Sequence, residues 1–358
     1  MNTQEQNSKP AIFNGNVFIL HSFDVGEDIN IEKIKESDVL IRRTLSLSKY
    51  FKNYHIPLAV ELPNPESSPH LVSAKIHNFG VVTLRYQIPF SCTLDELRSR
   101  INDIDYQFQE QSVADAGVIF QKIKPFIVQP KFFYLRCSYD LIQVNTDPVH
   151  GDVVKIKHDY GNLITSLLRF ETETLSDYQR NEMLADAIGY YQGDLILIDT
   201  EAAFAYDDEY EEKLDIIEFV NIQYLELQYF DRVLDKKLNV YYEGKLKDLS
   251  WRAYLPVFGG ASQSLGELER VKVDISVITD RLENSVTLAG DAYYSELYAL
   301  LFQKLGLKSW RESLSTKLSI IQDITYVHQN RVESGRQDFL SLVIIVLIFI
   351  ELLVALLK

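Results

Sequence analysis

Five carboxylates crowd one short stretch of the chain: Asp194, Asp199, Glu201, Asp207 and Asp208. They lie around the end of an expected strand and the start of an expected helix, where acidic oxygens could gather a hard cation. Asp194, Asp199, Asp207 and Asp208 are the candidate metal ligands. The plainer reading is a solvated turn whose acids complement a helix dipole. No nucleophile with an adjacent base can be read beside them, so a carboxylate-metal hydrolase is only an alternative. The histidines, His21, His55, His70, His77, His150, His158 and His328, show no HExxH or other tight ligand spacing on one helix. The loop Phe258-Gly259-Gly260-Ala261-Ser262 runs into a helix N-terminus that could hold an anion. It lacks the lysine of a phosphate-binding loop and reads as a hinge. No catalytic residue is assigned and no cofactor is expected.

Two polar features on helical segments carry more. Glu218, Asn221, Gln228, Asp231 and Asp235 fall at helical spacing on one side of an otherwise apolar stretch. Buried polar groups need partners, so this side is expected to meet polar groups inside the protein. Glu351 stands within the run FLSLVIIVLIFIELLVALL, Phe339 to Leu357, which only Ser341 and Glu351 interrupt. That run reaches about 28 Å as a helix, close to the hydrocarbon thickness of a bilayer. A carboxylate there either meets a partner helix or sits near enough to the interface to draw in water. Arg331 and Arg336 precede the run and Lys358 follows it, which places the bulk of the chain on the cytoplasmic side. The expectation is a tail-anchored, single-pass protein of the cell (inner) membrane.

The 358 residues carry a net charge of −15 and are 46% hydrophobic, enough for one large or two medium domains. The acidity argues against nucleic acid, whose phosphates call for a basic face. It argues equally against broad adhesion to anionic lipid, leaving the apolar helix as the anchor. Cys92 and Cys137 stand far apart and fit a reducing compartment. The N-terminus has neither an apolar signal core nor an Arg-rich presequence, so a mitochondrial inner membrane is the less favoured location.

These groups need elements to position them. Asn16 to Phe23 reads as a buried strand, and Ser37 to Phe51 as a helix with Ser37 as its cap. Pro57, Pro63, Pro65 and Pro69 mark a loop. His70 to Asn78 and Val81 to Ile88 follow as a hairpin around Gly80. Thr93 and Glu96 form a capping box that opens a helix through Ser112, and Lys131 to Val144 is a strand. This β-α-β-β-α-β order is the ferredoxin-like pattern. A helix from Ser176 to Ile188 and a strand from Asp194 to Asp199 extend it.

From Asp207 the period is helical. Helix A runs to about Tyr242. Helix B follows Gly259-Gly260 with a seam from Leu268 to Leu300 and stops at Gly306. Helix C opens on a second capping box, Ser309 and Glu312, and continues without a breaker into the apolar run. The fold class is therefore α+β: a ferredoxin-like domain, a coiled-coil hairpin of long antiparallel helices, and one C-terminal transmembrane helix. The expected divisions are a disordered 1–14, an α/β domain over 15–205, a helical domain over 206–338 and a membrane helix over 339–357.

The stretch from Asp194 to Asp235, above all EFxNxQxLELxYFDxxLD over Glu218 to Asp235, resembles bacterial membrane proteins related to the required-for-meiotic-nuclear-division family, known as domain of unknown function 155. The apolar ending with its late glutamate is similar to that family's ending. The resemblance implies an α/β domain, long helices and a C-terminal span. It also implies mitochondrial relatives that support organellar translation, and it carries no catalytic residues.

The leading function is a non-enzymatic, membrane-tethered scaffold that self-associates through its seams and recruits a cytoplasmic protein partner. An oligomeric, magnesium-type ion transporter is the alternative, since such channels combine an α/β head, long helices and terminal spans. Their second span and Gly-Met-Asn signature are missing from this sequence.

Overall fold

The computed structural model describes residues 11–43, 56–61, 66–133, 135–150, 152–242, 273 and 291–357. The chain divides into two compact units, Met1–Tyr229 with Glu283–Lys308, and Phe230–Leu282 with Ser309–Lys358.

The first unit is mixed α/β, built on a seven-stranded sheet. Its central strand β1, Phe13–Asp24, pairs antiparallel with β4, Val81–Cys92, on one side and with β5, Arg136–Val144, on the other. Beyond β4 lie β3, Leu71–His77, and β2, Leu58–Val60; beyond β5 lie β7, Ala202–Tyr206, and β6, Leu195–Ile198. The β5–β7 pair is parallel, and the other pairs are antiparallel. Strand β1 is buried on both faces over its second half, where the polar His21, Ser22 and Asp24 stand among its apolar residues.

Helices cover both faces. On one, Val17, Ile19, Phe23, Leu84, Ile142 and Phe204 meet α2, Leu94–Ile123, and α3, Val153–Leu168. On the other, Val81 and Cys137 meet Ile222 and Leu225 of α5, Glu211–Tyr242. Helix α2 starts where its capping box says it should: Glu96 N donates to Thr93 Oγ1 at 3.1 Å and Thr93 N to Glu96 Oε2 at 2.9 Å. The Gly80 turn between β3 and β4 also holds, with φ at +90°.

Several expectations are corrected. Strand β1 already includes Phe13 and Asn14, and β5 begins at Arg136 rather than Lys131. Ser37 ends a helix instead of opening one: α1 is Ile31–Ser37, its cap is Asn30, which accepts from Lys33 N at 3.0 Å, and Ser37 Oγ donates back to Ile34 O. Residues 44–51 of the expected helix lie outside the described residues. The proline-marked segment contains β2, which completes one edge of the sheet. Helix α2 continues to Ile123, and α3 and β7 were not foreseen. The short helix α4, Asp177–Ala185, does begin behind Ser176.

Helix B is not one continuous helix. Asp291 has an extended backbone and caps α6, Ala292–Lys304, accepting from Tyr293 N at 3.0 Å. The earlier part of helix B lies outside the described residues apart from Val273. Gly306, at φ +65°, closes α6 as expected. The helix opens ahead of the expected box, because α7 spans Leu307–Leu356 and already contains Ser309. In the second unit Lys317 of α7 bridges Asp231 at 2.8 Å and Asp235 at 2.6 Å on α5, and Ser313 Oγ donates to Asp231 at 3.1 Å.

Candidate functional site

Strand register separates the acids that the sequence groups together. Leu195 pairs with Tyr206, so Asp194, Asp207 and Asp208 stand at one end of the β6–β7 pair and Asp199 and Glu201 at its turn. Each of the four candidate ligands is engaged locally. Asp194 accepts from Tyr190 N at 3.1 Å and Tyr191 N at 2.6 Å, closing the loop ahead of β6. Asp199 pairs with Arg169, and Asp207 with Lys213. Asp208 accepts from the Thr146 hydroxyl and from Thr146 N at 3.1 Å. Among the described residues no three His, Cys, Asp or Glu side chains converge closely enough to hold a metal ion.

The polar side of α5 finds its partners inside the protein. Lys75, Thr83 and Arg85 lie on the α5 face of the β3–β4 hairpin, where Lys75 is register partner to Thr83. Glu218 Oε2 accepts from Arg85 at 2.7 Å and Lys75 at 2.9 Å, and its Oε1 accepts from Thr83 at 2.9 Å. Arg85 also reaches Asp215 at 2.9 Å. Burial alone would raise the Glu218 carboxyl; Lys75 and Arg85 outweigh it and hold the group well below the usual carboxylate range. Asn221 Nδ2 donates to Ser22 Oγ at 3.2 Å. Nearby, burial lowers His77 to about 3, so its ring is neutral. This network joins α5 to the sheet, although Arg85 Nε and Asn221 Oδ1 are buried with no hydrogen-bond partner among the described residues.

A less satisfied group sits where the sheet is notched. The β1–β5 ladder runs over Arg136–Val144, whereas the β5–β7 ladder begins only at Asp140. The first half of β5 therefore extends past β7, and a cleft of about 600 Å³ opens there against α2, α5 and the β6–β7 turn. Asp105, Asp140, Glu201 and Arg136 supply its charge, and Tyr106, Phe170, Tyr224 and Leu305 its apolar lining. Asp140 is 2% exposed. Its Oδ2 is buried with no hydrogen-bond partner among the described residues. Burial first, then the neighbouring Asp105 and Glu201, push its carboxyl well above the ordinary range. Burial also raises Asp105, against a hydrogen bond from Gln109 at 2.7 Å and the charge of Arg136. Arg136 donates to Gln109, at 3.0 Å to its carbonyl and 3.4 Å to its side chain.

Sequence reasoning noticed Glu201 but not Asp105 or Asp140. The available signal was Asp140 itself, an acid in the middle of the strand CSYDLIQV.

The apolar run is the last 20 residues of α7, Gln337–Leu356, the one helix among the described residues long and apolar enough to cross a membrane; none of it is buried. Glu351 lies exposed within it, and Arg331 and Arg336 belong to the same helix just ahead.

The chain is 28% identical over 207 residues to the uncharacterised protein MJ0711 of Methanocaldococcus jannaschii, covering 55% of this chain and 60% of that protein. It thus spans less than two thirds of that relative's length. No solved structure matches it. The family model described as Uncharacterized protein MJ0711, N-terminal domain, matches residues 14–212, from β1 into the start of α5 and across the whole notched sheet, and the chain belongs to that family.

Proposed function

We propose that the chain is a membrane-tethered, non-enzymatic scaffold whose acidic α/β head stands at the cytoplasmic face of the cell membrane, self-associates and recruits a cytoplasmic protein. The observation that carries this is the bare apolar stretch Gln337–Leu356. A core helix of that composition in a soluble protein is covered by its own fold, and this one is not. At about 1.5 Å per residue it reaches roughly 30 Å, the depth of a hydrocarbon layer. Arg331 and Arg336 ahead of it favour a cytoplasmic head. Glu351 within it favours self-association, because a carboxylate in lipid is costly until a partner helix meets it. The local engagement of Asp194, Asp199, Asp207 and Asp208 favours a scaffold over a hydrolase.

The finer fold reading belongs to the same proposal. Strands β3-β4-β1-β5, all antiparallel, follow the order of a ferredoxin-like sheet, with α2 as one crossover and the seven-residue α1 within the other.

Deleting residues 337–358 tests the tether. The truncated chain is expected in the soluble fraction after cell lysis. If it still sediments with membranes after a high-salt wash, the reading fails.

A further inference from the structure

We infer that the notch cleft binds an organic cation, a primary ammonium on a short carbon chain, with Asp140 as its buried counter-ion.

Three observations converge on this ligand. First, Asp140 Oδ2 is a buried acceptor that no donor among the described residues reaches, and it belongs to a residue lining the cleft. An orphaned buried oxygen is costly, and a ligand that donates to it removes that cost. An ammonium brings three donors and no acceptor.

Second, the cleft holds three carboxylates, Asp105, Asp140 and Glu201, against the single cation Arg136, which is turned to Gln109. An anion would meet repulsion there. A positive charge finds compensation on several sides.

Third, size and lining argue for an organic cation rather than a metal. A cavity of about 600 Å³ falls in the range of small-molecule sites. The three carboxylates do not converge as metal ligands do. Tyr106, Phe170, Tyr224 and Leu305 give methylene groups an apolar wall.

This inference stands on the α/β unit and is independent of the tether. Isothermal titration calorimetry of the full chain in detergent, with 1,4-diaminobutane as probe, tests it. Saturable binding at one site per chain is expected, with neutral 1,4-butanediol giving no heat of binding. Asp140→Asn should weaken the diamine at least about tenfold, the loss typical of a buried charged hydrogen bond. Should that variant fail to fold, Glu201→Gln at the turn should weaken binding by a smaller factor.

No saturable binding of the diamine up to roughly 10 mM would overturn the inference, since weaker affinity is below about 3 kcal/mol. Undiminished binding in Asp140→Asn, or in Glu201→Gln where that variant stands in, overturns it too. So does binding of magnesium that the diamine cannot displace, or binding of a lysine-rich peptide with none of the free diamine.

Discussion

Glu218 and Asp140 are both buried acids, and their surroundings shift their carboxyls in opposite directions. Glu218 has Lys75 and Arg85 within 2.9 Å and keeps its charge. Removing that charge strands two cations, so Glu218→Gln is expected to cost about 3–5 kcal/mol in denaturant unfolding of the full chain. A change under about 1 kcal/mol would place the pair in the range of a surface contact and refute the buried network. Burial, with Asp105 and Glu201 beside it, pushes the Asp140 carboxyl well above the ordinary range. Its folded pKa is raised, so the group favours folding below the unfolded value, near pH 4, and loses that contribution as pH rises towards the folded value. The loss accrues at up to about 1.4 kcal/mol per pH unit. Asp140→Asn removes the titration. Relative to the parent it should therefore gain stability as pH rises above about 4, read as a growing difference in Tm. A difference that stays flat with pH would show that the folded carboxyl titrates normally. A binding group that destabilises its own fold is what a site awaiting a ligand looks like.

Among the elements, those specified by neighbouring residues were legible in the sequence. The Thr93–Glu96 box, the Ser176 cap and the Gly80 turn each need only a few adjacent side chains. Gly80 can be tested directly: a Cβ there would lie 1.9 Å from Gly26 O, on top of an unfavourable φ. Gly80→Ala should destabilise by at least about 1–3 kcal/mol, measured as a fall in Tm. Retention of the parent Tm would mean that the turn relaxes freely. Elements fixed by distant partners were not legible. The alanine-rich β7, AAFAY, has poor strand propensity and is extended because β5 and β6 hold it on both sides. Helix α3 has Gly161 at its centre, where Leu184 packs closest, so its helical state depends on burial against α4 and the sheet. Ser37 resembles a cap by composition, but Asn30 captures the helix start and leaves Ser37 at the end. The cleft has the same origin: Asp140 and Glu201 meet through the register of β5 against β7, and Asp105 joins them from α2.

For the whole molecule, the uncovered stretch of α7 means that its removal should leave the α/β unit as stable as before. The same truncated chain that tests the tether can be read by far-UV circular dichroism melting. The order of strands in the sheet also bears on how the protein is made. Strand β1 leaves the ribosome first, yet its neighbours start at Val81 and Arg136. Phe13, Val17, Ile19 and Phe23 must therefore wait, unpaired, for much of synthesis, an interval in which chaperones have apolar surface to hold. The last strand of the sheet ends at Tyr206, well before Gln337 opens the apolar stretch. At about 5–20 residues per second that gap lasts roughly 7–26 s. The head can close during that time, so the hydrophobic helix emerges behind a finished domain rather than into a collapsing one.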